Sequence, residues 1–500
     1  MKNIVYYIAI ATVLLFASCA SELDTEPSGS KVSDEQLSEL IKENADLVLA
    51  PMMQGAVNYM HTGNRRATTN DRGFMVWNLG MDLQGNDMVL TKLTNWFADE
   101  YMFESIRAQT NAYTADRWYC YYKIVYQSNQ ILDLIPDDAT GKALVYKAQA
   151  LTYRALAYYY LMCVYQDDYM HGGKDKAGVP LYLTVEGAKG RTPSTEVYST
   201  ITTDLQNAIA LFEQEGYDPK SSTADIDQTV ANMVLARVAL TTGDYTTAAN
   251  AAGAGGVGVG PAPGAVISAG YSLMNEEQYT TSGFQSTSLP ETIWGYTWAA
   301  STSLGNRSFA SFMSITAVDN ANNKGIYMAI DDQLYNQIAD TDYRKKNFNA
   351  TETTVGDFTY PAYSNVKFNT PTYEADEIYM RLSEAYLLKA EAEARGGNNS
   401  AAQQTLYDLV SKRDSGYAKS SNTGDALLKE IFLQSRIELW GEGHEFFTNK
   451  RFNVGVDRTA SSNHTHKVVK AAGKEFTYQI PLSIELNSNP YINAADQNPL

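Results

Sequence analysis

The chain has 500 residues, 44% hydrophobic and 19% charged, which describes a folded interior and excludes both a disordered chain and a polytopic membrane protein. Against 39 Lys and Arg stand 57 Asp and Glu, a formal charge of -18 at pH 7, opposite to the basic footprint that a nucleic-acid backbone requires. The 35 Tyr and 6 Trp are many for this length, and such flat amphipathic rings serve either as core or as stacking platforms.

In chain order, Lys2 is followed by the apolar run Ile4 to Phe16 and then by Ala17-Ser18-Cys19. The run is too short to span a bilayer and closes on small residues, so residues 1–18 read as a secretory signal peptide. Phe16-Ala17-Ser18-Cys19 resembles a bacterial lipobox with Phe16 in place of the usual Leu, and Cys19 is expected to carry lipid. The plainer alternative is an ordinary signal peptide with an incidental cysteine. Residues 19–33 are polar, acidic and turn-rich, as suits a flexible tether. The other cysteines, Cys120 and Cys163, lie in helical, aromatic-rich patterns, which favours buried free thiols, although one bridge between them stays open.

From about Asp34 helical periodicity dominates. The spacing of Trp118, Tyr121, Val125, Leu132 and Ile135 predicts a helix over 117–135, stopped by Pro136. A second, over 143–165, carries Leu144, Ala148, Leu151, Ala155, Tyr158 and Met162 without Gly or Pro and should be deeply buried. Ser194 with Glu196 predicts the start of a third, with Ser194 as its cap and Val197, Ile201, Leu205, Ala208 and Phe212 as its stripe. Two stretches resemble each other: Leu235 to Tyr245 followed by Ala248-Ala249, and Ala390 to Asn399 followed by Ala401-Ala402. Each reads as a helix, a Gly-polar turn and an Ala-rich helix, the logic of a tetratricopeptide repeat. Between them, Gly253 to Gly264 reads as a flexible loop, and no Gly-Lys-Ser/Thr follows to make it a phosphate loop. The segments Met60 to Tyr101 and Asn275 to Asn347 carry no sustained helical stripe and are rich in Gly, Asn, Asp, Trp and Thr; binding residues are sought there.

No catalytic motif emerges. His61, His171, His444, His464 and His466 are scattered, and only His464-Thr465-His466 is close enough to suggest a metal, in what reads as a solvated polar loop without further ligands. There is no His-Glu-x-x-His, Gly-x-Ser-x-Gly, Rossmann glycine pattern or calcium-loop spacing. Asp137-Asp138, Asp167-Asp168 and Asp331-Asp332 are adjacent acids expected to point apart, whereas a glycosidase needs two carboxylates facing across a sugar bond. No cofactor is called for, and the reading is of a non-enzyme. The aromatic candidates are Trp96, in a polar segment after Asn95, and Trp294, Tyr296 and Trp298, whose alternation places three rings on one face if the segment is extended. Trp118 and Trp440 sit on helical stripes and read as core; Trp96 and Trp298 read equally as core or as platforms on which a sugar ring could stack.

Nearly end to end, these residues resemble the SusD/RagB family of outer-membrane lipoproteins of the Bacteroidetes. The resemblance rests on the lipobox and tether, Asp82-Leu83-Gln84-Gly85-Asn86-Asp87-Met88, Trp118 to Ile124, Ala148 to Tyr158, Ala236-Arg237-Val238 with Gly243-Asp244-Tyr245, and Tyr379 to Tyr386. Its most specific pieces are Arg436 to His444 and the ending Ile480 to Pro490 with Gln497-Asn498-Pro499. Where the family usually has Arg after Gly443-His444, this chain has Glu445, and Thr448-Asn449 replaces an Asp-Leu pair, which puts in doubt any salt bridge the family makes there. The resemblance implies a mostly α fold over residues 34–500, in which a scaffold of four tetratricopeptide-type helix pairs packs against an irregular, loop-rich ligand-binding region. It implies a lipid-anchored protein of the cell surface that captures glycans without cutting them for a SusC-like TonB-dependent transporter. A peptide- or protein-binding uptake subunit is the alternative, and a surface glycosidase the most remote. Within that frame Trp96 and Trp298 are expected as stacking platforms, Tyr296 as a flanking ring, and Asn95 and Arg72 as hydroxyl partners.

Overall fold

The computed structural model describes residues 33–62, 73–93, 96–104, 106–217, 222–253, 264–282, 284–299, 304–316 and 327–500. The first helix, Asp34–Glu43, opens on a capping box in which Ser33 and Gln36 satisfy each other's backbone N–H groups. Helix Ala45–Thr62 follows. Helix Ala112–Leu134 starts earlier than its apolar spacing suggests, because the Asn111 side chain accepts the Tyr113 N–H and caps it there. It ends just before Ile135, whose extended backbone is what a following Pro136 demands. Helix Lys142–Tyr165 is buried on every side except at Lys142 and Lys147, since it runs between Ala112–Leu134 and Ser194–Glu215. In the Ser194–Glu215 helix the expected stripe is buried, but the cap is Pro193, and Ser194 is the first helical residue.

Both expected helix pairs are present. Gln228–Thr242 ends at Gly243, which adopts φ +83°, and Asp244 then caps Tyr245–Ala252 by accepting the Thr247 N–H. Leu382–Arg395 gives way through Gly397, φ +84°, to Asn398, which caps Asn399–Val410. Ala248, Ala249 and Ala252 let the first pair approach the Leu382–Arg395 helix, and Arg237 forks onto Glu384 at 2.6 and 2.7 Å to fasten the two pairs. Helix Gly424–Glu438 packs on the same helix from another side.

The rest of the chain is mostly irregular and is held by short antiparallel ribbons and by charge. It holds the short helices Ala98–Met102, Phe309–Met313, Asp332–Tyr335 and Glu445–Arg451 together with Gly73–Asp82, a helix buried on all sides and so without the one-sided stripe sought between Met60 and Tyr101. Four two-stranded pairings occur among the described residues: β1 (Met88–Leu90) with β3 (Met328–Ile330), β2 (Thr292–Tyr296) with β6 (Glu377–Arg381), β4 (Thr353–Val355) with β5 (Phe358–Tyr360), and β7 (Val456–Asp457) with β8 (Val469–Lys470). Where irregular chain meets helices, the fully buried Glu438 accepts Arg381 at 2.7 Å, Arg344 at 3.0 Å and Arg413 at 3.1 Å. Glu291, Glu442, Asp342 and Lys367 complete the cluster, so that four buried bases meet four buried acids. Such a cluster persists in a low-dielectric interior because every charge is matched and hydrogen-bonded. Cys120 and Cys163 are buried free thiols, and burial pushes Cys163 up to about 11. Among the described residues no helix is long and apolar enough to cross a membrane.

Candidate functional site

The expected aromatic site divides into two patches on either side of one short helix. β2 pairs with β6 in the register Trp294↔Met380, Gly295↔Ile378 and Tyr296↔Glu377, with irregularities on both sides of Trp294 that break strict alternation. Trp294 is fully buried against Tyr153 and Tyr379 and donates its indole N–H to the Ala224 carbonyl at 3.2 Å. Tyr296 is half-buried and stacks on His61 with ring centroids 3.7 Å apart. Trp298 meets Tyr296 edge-on at 4.8 Å and lies beside the Glu377 carboxyl. At 5% exposure it is no open platform for a sugar; it supports Tyr296 from within, which corrects the expectation of Trp298 as a stacking platform.

Trp96 forms the other patch. It is half-buried and tilted against Phe312 at 5.5 Å, while its neighbour Phe97, buried and left-handed at φ +59°, meets the same ring edge-on at 4.9 Å. Phe312 belongs to the helix Phe309–Met313, capped by Ser308. The Phe309 backbone lies beside the Glu377 carboxyl, so this single helical turn sits between the Trp96 patch and the Tyr296 patch. Asn95, Arg72 and Cys19 lie outside the described residues, as does most of Gly253 to Gly264.

The two titratable groups buried behind Tyr296 carry no charge at neutral pH. Burial pushes Glu377 up to about 8 and His61 down to about 3. They are joined through the Tyr379 hydroxyl, which contacts His61 Nδ1 and donates to Glu377 Oε2 at 3.2 Å. Rings backed by an uncharged hydrogen-bonded chain form a surface that can stack on an apolar C–H face.

Other sequence candidates have structural employment. His464 is buried rather than solvated: Nδ1 meets the Tyr101 hydroxyl at 2.6 Å and Nε2 the Asn86 carbonyl at 2.8 Å. Among the described residues no group of three or more His, Cys, Asp or Glu side chains is placed to hold a metal ion. Asp167 binds Thr477 at 2.5 Å and pairs with Lys176, whereas its neighbour Asp168 caps the turn at Met170 and His171. Asp331 caps Leu334 while Asp332 binds Ser462, yet the two acids still interact, with Asp331 pushed up to about 6, mainly by burial, and Asp332 held at about 2 by its Ser462 bonds.

Two clefts went unnoticed in the sequence. One, of about 280 Å³, is walled by Trp118, Tyr119, Tyr122, Tyr126 and Tyr182 over Glu485, and the spacing of 118, 122 and 126 was a legible sign of an aromatic stripe. The other, of about 1,160 Å³, gathers Tyr271, Tyr343, Tyr386 and Tyr407 from segments far apart in the chain, for which no local signal exists.

Comparison with known proteins covers both halves of the chain. A family model described as "SusD family" matches residues 275–494, and one described as "Starch-binding associating with outer membrane" matches residues 32–240. No curated protein matches. Among solved structures, the chain is similar to a SusD-like carbohydrate binding protein from Bacteroides vulgatus, 23% identical with a TM-score of 0.76, covering 90% of this chain and 98% of that one. It is similar to a SusD superfamily protein from Bacteroides thetaiotaomicron, 21% identical with a TM-score of 0.73, covering 92% and 99%. Surface glycan-binding protein A from Bacteroides uniformis is 17% identical with a TM-score of 0.66, covering 91% and 99%.

Proposed function

The chain belongs to the SusD/RagB family, and on that premise we propose that it is a non-catalytic glycan-binding lipoprotein of the outer-membrane surface. It captures an oligo- or polysaccharide and passes it to a SusC-like TonB-dependent transporter. In this account residues 1–18 are removed, Cys19 carries the lipid, residues 19–33 are the tether and residues 34–500 bind. The observation that carries the proposal is the aromatic face, where half-buried Trp96 and Tyr296 flank the Phe309–Met313 turn. Trp96 is the stacking platform and Tyr296 the flanking ring, with Trp298 supporting Tyr296 from within and Asn95 and Arg72 binding hydroxyls. Several weak stacking contacts, each worth about 1 kcal/mol, suit a protein that must release what it captures. Two of the similar proteins, a carbohydrate binding protein and a surface glycan-binding protein, support the ligand class.

The test is a screen of the full chain by electrophoresis through gels containing single polysaccharides, with an assay for new reducing ends. Retention by a polysaccharide without reducing ends is expected. Binding to peptides alone would move the function to peptide uptake, and released sugar would make the protein a glycosidase. Replacing Cys19 with Ser should release the chain from the membrane fraction, and membrane association unchanged by that substitution would remove the lipid anchor.

A further inference from the structure

The groove of about 1,160 Å³ shares no lining residue with the Trp96 and Tyr296 patches. Its walls are Tyr386 and Tyr407 from the second helix pair, facing Tyr271 and Tyr343 from irregular chain. All four tyrosines are half-buried, each combining ring surface with a hydroxyl. Small-ligand sites run to about 300–1,000 Å³, so this groove has room for a ligand of several units.

The walls are fixed before any ligand arrives. The Met274 carbonyl accepts Arg413 Nη1 at 2.8 Å and the Tyr343 hydroxyl at 3.3 Å, and its N–H donates to Glu291 at 2.6 Å. Arg413 also donates to the Tyr343 hydroxyl at 2.9 Å. The rim therefore hangs from the buried charge cluster, and a preformed wall lowers the ordering cost of binding.

The chemistry selects the ligand class. Charges at the rim are matched: Glu276 pairs with Lys346 at 2.5 Å and Asp340 with Lys345 at 2.7 Å, while Asp408 and Lys412 line the same groove. Such a rim gives no net field to draw an anion or a cation. Nor does the wall offer a strand edge to a peptide, because the N–H groups of Ser272, Met274 and Asn275 are already bonded to Pro290, Glu291 and Gln278. What remains is ring surface with hydroxyl, amide and serine groups, the complement of a neutral sugar chain.

We propose that this groove is a second carbohydrate-binding subsite, which holds consecutive units of a neutral oligosaccharide. The ligand class rests on the glycan-capture function proposed above, while the position does not depend on Trp96.

The test titrates the full chain by calorimetry with maltoheptaose, cellohexaose and xylohexaose. Variants are Trp96→Ala, Tyr386→Ala with Tyr407→Ala, and Ser415→Trp, which adds bulk at the exposed mouth without removing a wall. Two binding events per chain are expected for one of the probes. The tyrosine pair should weaken one event roughly tenfold, from two rings lost. Ser415→Trp should weaken the same event, and Trp96→Ala only the other. Binding lost in both groove variants but intact in Trp96→Ala would keep the groove and discard the Trp96 face. A single event untouched by either groove variant would overturn the subsite while leaving glycan capture standing. No event with any of the three probes would overturn the groove as a subsite for a neutral oligosaccharide, while retention by a polysaccharide in the gel screen would leave glycan capture standing.

Discussion

The carboxyl group of Glu445 occupies the space that a side chain at Gly85 would fill. It accepts the N–H groups of Asn86 and Asp87, the latter at 3.1 Å, and so closes the turn that follows helix Gly73–Asp82. Asp82 reciprocates by accepting the N–H groups of Gly443 at 2.7 Å and Glu445 at 2.9 Å. Burial, aided by Asp87 and Asp82, holds the Glu445 carboxyl well above the usual range, so here the acid acts as a hydrogen-bonding plug at the position where the family usually has Arg. Gly85→Ala should cost about 1–3 kcal/mol through overpacking. Chemical denaturation would read this loss, and Glu445→Ala in the same chain should recover part of it, a coupling absent if the two positions are independent.

Glu377 sets a pH dependence. Its carboxyl titrates near 4.5 in an unfolded chain and near 8 when folded, so between those values the folded chain keeps a proton that the unfolded chain has lost. This contribution to stability is full below about pH 4.5 and declines as the pH rises to about 8. Asp82, pushed up to about 7 by burial, acts in the same direction. Glu377→Gln should therefore flatten the decline between pH 5 and 8 in denaturant midpoints, and an unchanged slope would show that Glu377 does not titrate as described.

The charge cluster predicts the opposite sign at low pH. Arg413, Arg381 and Arg344 hold Glu438 well below the usual carboxylate range despite its burial. Its contribution is present above about pH 4.5 and is lost as acid protonates it. Glu438→Gln leaves three buried guanidinium groups short of a charge and should destabilise by about 3–5 kcal/mol at pH 7. Thermal denaturation would check this, and a shift of a degree or less would deny the cluster its structural weight.

Trp96 and Trp298 should separate cleanly. Trp298→Ala removes a buried indole and should cost about 3–5 kcal/mol of stability. Trp96→Ala, at a half-exposed ring, should weaken glycan binding roughly three- to tenfold with a much smaller change in melting temperature. Equal melting losses in the two variants would contradict the distinction.

Much of the scaffold was legible because it is local. Apolar spacing located the Lys142–Tyr165 helix to within a residue, and the Gly-polar turns at Gly243-Asp244 and Gly397-Asn398 marked both helix pairs. Trp118 is core on its helical stripe, whereas Trp440 is core although it lies in the turn beyond helix Gly424–Glu438 rather than on a stripe. What escaped depends on distant partners. Asn111 begins its helix ahead of the apolar stripe through a side-chain cap, and His464 looks solvated until Tyr101 and Asn86 close over it. Trp298 sits in a polar segment yet is buried by Tyr296 and Glu377, and the tyrosines of the groove converge only once the buried charge cluster pins Met274 and Tyr343.

The most direct test of the central claim is calorimetry of the full chain with the polysaccharide that retains it in gels, run beside Trp96→Ala, with reducing ends followed in the same samples. Non-catalytic capture predicts saturable binding, a loss of roughly three- to tenfold in the variant, and no new reducing ends. Unchanged affinity in Trp96→Ala would remove the binding face, and reducing ends that grow with time would contradict capture without cleavage.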